Sequence, residues 1–256
     1  MDHRRVQGEE VDVRRRIGKG GPIGGEESGA TLVYGWEPRR ESPQGWAERL
    51  LDWLALCEQL DSRLSGWTES VTGQPIPAEA GELGELMVRL GEREVGGTWA
   101  KGVLSIYGHR PPGATTEFHF SIPAVFGLAG GALTVPTPLL VERTPGELGV
   151  VMGFVADSSA AMGARWAAWR FWEQVGAMNP RAIGRDHAGW ITYYEGVDPA
   201  RLRRLREPAV GETAGDGVVV ASMTSLEGAT GESLAEAAAR VERDLFGWRR
   251  RPTRRD

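Results

Sequence analysis

Val103-Leu104-Ser105-Ile106-Tyr107 and Thr116-Glu117-Phe118-His119-Phe120-Ser121-Ile122 change the rhythm of the chain from helical to period two. In the second run Phe118, Phe120 and Ile122 fall on one face and Glu117, His119 and Ser121 on the other, as in a half-buried strand. The turn Arg110-Pro111-Pro112-Gly113 between the runs suits an antiparallel pair. Strands clustered between helices, without regular βαβ alternation, predict an α+β fold: a single domain with a largely antiparallel sheet packed against several helices.

Upstream, Ser42-Pro43 offers an N-cap followed by proline at the first helical position. Trp46, Leu50, Trp53, Leu54, Cys57 and Leu60 then form one apolar stripe of a helix of about four turns. Gly73-Gln74-Pro75-Ile76-Pro77 interrupts the chain before a second helix with Leu83, Leu86, Met87 and Leu90 on one face. Ala30 to Tyr34 reads as a first short strand. Residues 1–28, charged and glycine-rich, read as a disordered leader. The ordered domain is expected over 29–248, with a basic tail at 249–256.

Downstream, Gly130-Gly131 and Pro136-Thr137-Pro138 bracket a run that reads as an irregular edge. Gly149 to Ala156 reads as a buried strand. A helix capped near Ser158 or Ser159 is expected to follow it through Met162, Trp166, Trp169, Trp172 and Val175, stopping at Asn179-Pro180. On that helix Trp166 and Trp169 would share a face. Strands at Trp190–Tyr194 and Val218–Val220 precede a final helix with Leu234, Ala238, Val241 and Leu245 on one side.

The composition bounds the function more than it names it. Ten tryptophans against four tyrosines and six phenylalanines suit cores and protein interfaces alike. The single cysteine, Cys57, makes no internal disulfide, which points to a reducing compartment. With no run of about 18 apolar residues and no apolar segment after Met1-Asp2-His3-Arg4-Arg5, a cytoplasmic protein with no membrane partner is expected. The net charge of −5 is unevenly spread: residues 1–28 balance, 248–256 carry five Arg and one Asp, and the body between holds −9. An acidic body disfavours nucleic acid and favours basic partners.

Reactive chemistry is thinly represented. Cys57 sits on the apolar stripe of the first helix, where a structural thiol is expected. His3, His109, His119 and His187 show no metal-ligand spacing, so neither a metal nor another cofactor is expected. The glycines at 18–25 lack the strand before and the helix after that a phosphate loop needs. An enzyme would have to use a cryptic site near Asp157, His187 and Tyr193; the other alternative is a general protein-binding adaptor.

Two segments carry a resemblance. The first is Tyr34-Gly35-Trp36-Glu37-Pro38-Arg39-Arg40-Glu41-Ser42 with the Leu/Trp helix that follows. The second is Gly189-Trp190-Ile191-Thr192-Tyr193-Tyr194, then the Val218–Val220 strand and a helix containing Ala-Ala-Arg-Val-Glu-Arg-Asp-Leu. In order and spacing they resemble the immunity protein 52 family, from about residue 30 to 246. Where that family tends to have glycine between the tryptophan and the proline, this chain has Glu37, and Thr98–Gly102 only echoes its Trp-Asn-Gly element. The resemblance implies a cytoplasmic antitoxin, not an enzyme, that binds and neutralises a cognate bacterial toxin domain, typically a nuclease. Trp36, Glu37, Arg39, Glu41, Trp190 and Tyr193 are the candidate partner-binding residues, with a structural role as the alternative for each.

Overall fold

Ser42 accepts a hydrogen bond from the Gly45 amide at 3.0 Å, and Pro43 takes the first helical position, so helix α1 runs Pro43–Leu60. A computed structural model of the chain describes residue Ile23 and residues 29–36, 41–69, 73–90, 92–93, 99–107, 117–122, 129–136, 144–178 and 188–247. Trp46, Leu50, Trp53, Cys57 and Leu60 of α1 are buried, as their spacing requires. Leu54 is only half-buried, on the margin of that stripe. Helix α2, Ala80–Leu90, packs along α1 through Leu83 and Met87. Gly84 lets the two backbones meet, since a Cβ there would stand 3.2 Å from the Gln44 amide nitrogen.

The strands are β1 (Gly29–Trp36), β2 (Thr68–Glu69), β3 (Glu92–Arg93), β4 (Trp99–Tyr107) and β5 (Glu117–Ile122), then β6 (Ala129–Pro136), β7 (Trp166–Phe171), β8 (Ile191–Glu195), β9 (Val210–Ala214) and β10 (Gly217–Ala221). They form one ten-stranded sheet in the order β2-β4-β5-β6-β1-β7-β8-β10-β9, with β3 beside β4 off that path. Every ladder is antiparallel. The remaining helices are α3 (Thr144–Met162), α4 (Trp172–Ala177) and α5 (Gly231–Phe246), with a 3-10 turn at Pro199–Arg204. The fold is α+β, and the expected β4–β5 pair forms with Phe118 opposite Ile106 and Phe120 opposite Leu104.

Alternation along the strands sorts side chains into two layers. Leu32, Tyr34, Trp36, Trp169, Phe171, Ile191, Tyr193 and Val219 join α1, α2 and α3 in the larger core. Trp166, Ala168, Tyr194, Val218 and Val220 turn the other way, toward Val241 and Leu245 of α5. The sheet is therefore covered on both sides around β7, β8 and β10.

Double coverage explains two corrections. The run Trp166–Phe171, expected as an aromatic helix, is strand β7. All six residues are buried, so the polar alternation that betrays a strand is missing from the sequence. Trp166 and Trp169 consequently face opposite layers instead of sharing one. The apolar run Gly149–Ala156, expected as a strand, lies inside helix α3. Val151, Met152, Val155, Ser158, Ser159 and Met162 are buried at helical spacing, which a short continuous apolar stretch does not reveal. Ser158 and Ser159, expected as caps, sit mid-helix, and both hydroxyls bond back to the Val155 carbonyl.

Two smaller corrections concern strands. The run at 130–136, expected as an irregular edge, is interior strand β6, paired with β5 on one side and β1 on the other. Strand β9 was not expected at all; Val-Gly-Glu-Thr-Ala is largely exposed at the sheet's far edge and carries no apolar alternation. The expected leader and tail lie outside the described residues except for Ile23, whose amide donates to the Ala229 carbonyl at 3.1 Å. The expected stop at Asn179-Pro180 also lies outside them, although α4 does end at Ala177.

Gly189 precedes β8, and its amide donates to Thr192 Oγ1 at 2.8 Å. A Cβ at this position would overlap the Trp169 carbonyl of the neighbouring strand. Gly189→Ala is expected to cost about 3 kcal/mol, the upper range for overpacking, read as a lowered urea midpoint with unchanged slope.

Candidate binding surface

The first motif is built into the junction of β1 and α1. Trp36 ends β1 with 1% exposure, and its ring lies 5.5 Å from that of Trp46. Glu41, just before the cap, accepts from Arg49 Nε at 2.7 Å, and Arg49 Nη1 donates to the Ala161 carbonyl at 2.9 Å. That chain of contacts ties the strand–helix junction to the end of α3. Glu37 and Arg39 lie outside the described residues.

The second motif is equally internal. Trp190 is fully buried; its indole donates to the Met223 carbonyl at 3.0 Å and its ring stands 5.6 Å from Phe171. Tyr193 is 4% exposed, and its hydroxyl donates to Asp216 Oδ1 at 3.2 Å. Burial, then the Asp216 carboxylate, push the Tyr193 phenol up to about 12. Trp36, Trp190 and Tyr193 thus spend their rings and polar atoms inside the protein. Of the cryptic enzyme set, Asp157 is exposed on α3, Tyr193 is engaged with Asp216, and His187 lies outside the described residues.

A buried relay joins three elements behind the first motif. The Trp53 indole donates to Tyr34 Oη at 2.9 Å, Tyr34 donates to Ser158 Oγ at 2.9 Å, and Ser158 donates to the Val155 carbonyl. Burial holds the Tyr34 phenol far above its ordinary range. Burial also raises the Cys57 thiol well above its usual value, which suppresses the reactive thiolate. Among the described residues no group of three His, Cys, Asp or Glu could hold a metal ion, and no helix is long and apolar enough to cross a membrane.

The outer surface of the α1–α2 layer has a different character. Residues 43–90 contain eight Asp or Glu against three Arg. Arg49 is committed to Glu41 and Arg63 to the buried Asp61, at 2.9 Å. Glu48, Asp52, Glu58, Glu79, Glu82 and Glu85 are all exposed, and none makes an ion pair with another described residue. Arginines gather on the other layer instead: Arg201, Arg203, Arg204 and Arg206 lie on and after the 3-10 turn, and Arg206 pairs with Asp244 of α5 at 2.7 Å. The local signal for the acidic layer lay in the sequence, but the whole-chain balance conceals it.

No protein-family model matches the chain, so its resemblance to the immunity protein 52 family stands without one. No curated protein matches it either. Among solved structures it is similar to the Pseudomonas aeruginosa T6SS protein PA0821, with a TM-score of 0.50 and 11% identity over 96% of this chain and 82% of that one. At that identity the likeness is one of fold.

Tyr34→Phe removes the acceptor of Trp53 and the donor to Ser158, and is expected to cost about 1–3 kcal/mol at neutral pH. The pH dependence follows from the raised phenols. Folded Tyr34 and Tyr193 keep protons that unfolded tyrosines lose near pH ~10, so stability is full below that pH and falls above it, through about 12 for Tyr193. Denaturant titrations from pH 8 to 12 should show a shallower alkaline decline for Tyr34→Phe than for the unaltered protein.

Proposed function

We propose that this chain is an immunity protein of a type VI secretion toxin: a cytoplasmic antitoxin that binds a cognate basic toxin domain and blocks it. The observation that carries the reading is the set of six exposed carboxylates on the α1–α2 layer, none of them in an ion pair among the described residues. A nuclease must present a cationic groove to the phosphate backbone. An acidic protein surface of matching extent occupies such a groove and repels the nucleic acid that would otherwise enter. The likeness in fold to a T6SS protein supports a place in that kind of competition. The resemblance of the Tyr34–Ser42 and Gly189–Tyr194 segments to immunity protein 52 supports the same class.

Inhibition by binding, with no catalytic step, also accounts for where the reactive groups lie. Cys57 and Tyr34 are sealed in the core with pKa values raised away from reactivity. The motif aromatics hold the sheet and α1 together, and the partner meets charge carried on helices that those aromatics anchor.

Co-expression with a toxin domain encoded beside its gene should restore growth, and the two proteins should co-purify; continued killing with no complex would sink the proposal. Association should slow steeply as salt rises. The double variant Glu58→Lys/Glu82→Lys is expected to lower the association rate constant about tenfold at low ionic strength, while thermal stability stays within about 0.5 kcal/mol of the parent. A salt-independent on-rate in stopped flow would remove the electrostatic part of the mechanism.

A further inference from the structure

The acidic layer contains one uncharged recess. Leu51 and Leu54 of α1 face Trp67 and the Pro75-Ile76-Pro77 segment across a cavity of about 340 Å³, and no charged residue lines it. Its walls are fixed before any partner arrives. The Trp67 indole donates to the Leu64 carbonyl at 3.0 Å, and its ring rests 5.8 Å from Trp53. The far wall is tied back to β2: the Ile76 amide donates to the Trp67 carbonyl at 2.9 Å, and the Glu69 amide to the Gln74 carbonyl at 2.8 Å. Leu51 and Leu54 are half-buried although they flank the core stripe, so their outward faces form the floor of the recess rather than core.

Carboxylates flank this apolar floor along the chain. At 100° per residue Glu58 continues the line of Leu51 and Leu54 on α1, and Glu48 lies one turn before Leu51. Glu79 follows Ala78, itself a lining residue. All three carboxylates are exposed and without an ion pair among the described residues. An apolar pocket with rigid walls inside a like-charged rim matches the anatomy of an interface anchor site, in which one buried side chain is ringed by polar contacts that exclude water.

We propose that this recess seats a single large apolar side chain of the basic protein partner, flanked in that partner by Lys or Arg residues that meet Glu48, Glu58 and Glu79. The inference rests on the immunity reading for the partner's identity, but the pocket chemistry is testable without it. The rim selects the flanking charges and the volume limits the anchor to one bulky group. Acidic or zwitterionic sequences carrying the same anchor are rejected at the rim, which gives specificity through repulsion as well as fit.

The test has two arms, both on the full chain. In the first, the tripeptide amide acetyl-Arg-Trp-Lys is titrated while the Trp67 indole N–H is followed by NMR, with acetyl-Glu-Trp-Glu as the control. The Arg-Trp-Lys peptide should move the Trp67 resonance, and the acidic peptide should leave it in place. Equal responses, or none, would overturn the proposal. If deleting residues 249–256 shifts Trp67 with no peptide present, the chain's own arginine tail is the occupant and the proposal fails. In the second arm, Ala78→Trp fills the recess from an exposed position and Leu54→Arg places a cation on its floor. Each should weaken binding to the neighbour-encoded toxin domain at least tenfold, Ala78→Trp with an unchanged melting curve and Leu54→Arg while the variant remains folded at the assay temperature. Parental affinity in both variants would refute the anchor while leaving the immunity reading intact; absence of any complex with the parent protein would remove that reading, and the peptide arm would still decide the pocket.

Discussion

Among the described strands, β1 is the one that joins the two halves of the sheet. It is hydrogen-bonded to β6 along one edge and to β7 along the other, with Leu32 opposite both Leu133 and Trp169. Strands β2, β4, β5 and β6 lie to one side of it, and β7, β8, β10 and β9 to the other. The same eight residues carry Tyr34, which receives Trp53 from α1 and donates to Ser158 of α3. A buried donor or acceptor left without its partner costs more than the bond itself contributes, so the relay fixes both helices against the strand as well as adding stability. The tryptophan pair Trp36 and Trp46 repeats that coupling at the strand's end.

Rigid attachment matters because the surface it supports is charged. Six carboxylates held on and beside two packed helices repel one another, a cost that the core beneath must outweigh. Retaining such a layer is physically intelligible if a cationic surface is to meet it. The arrangement also separates duties: aromatic residues build the platform, and carboxylates and one apolar recess form the outward face. Arg203 and Arg204 are exposed within the 3-10 turn, on the layer of α5.

What the sequence made legible follows from how each element meets water. Helices α1 and α5 have one wet and one dry face, so their stripes are legible directly, and for α1 the cap at Ser42 as well. Strands β4 and β5 were legible from alternation and pair as expected. Strand β7 and helix α3 exchange places in a reading of the sequence because neither shows a clear polar face: β7 is buried along its whole length, and the exposed positions of α3 include Gly149, Val150 and Ala160. Strand β9 failed for the opposite reason, being too exposed to carry a pattern. The candidate residues Trp36, Trp190 and Tyr193 stood out as aromatics within motifs, but a sequence does not say on which side of a surface an indole will lie. Leu54 shows the same limit from the other direction, since its spacing places it on the core stripe while the fold leaves it half open beside Trp67.

The central place of β1 also means that its partners become available only late in synthesis. Ala30 finds its partners at Val135 and Phe171, more than a hundred residues later. Until those segments emerge, the earliest strand has two open edges, and loop closure over such distances makes sheet completion slow. During that interval Leu32, Tyr34 and Trp36 stand beside unpaired backbone, the combination that recruits wrong strands. Nascent chains that stop before residue 171 therefore carry an unfinished seam down the middle of the sheet.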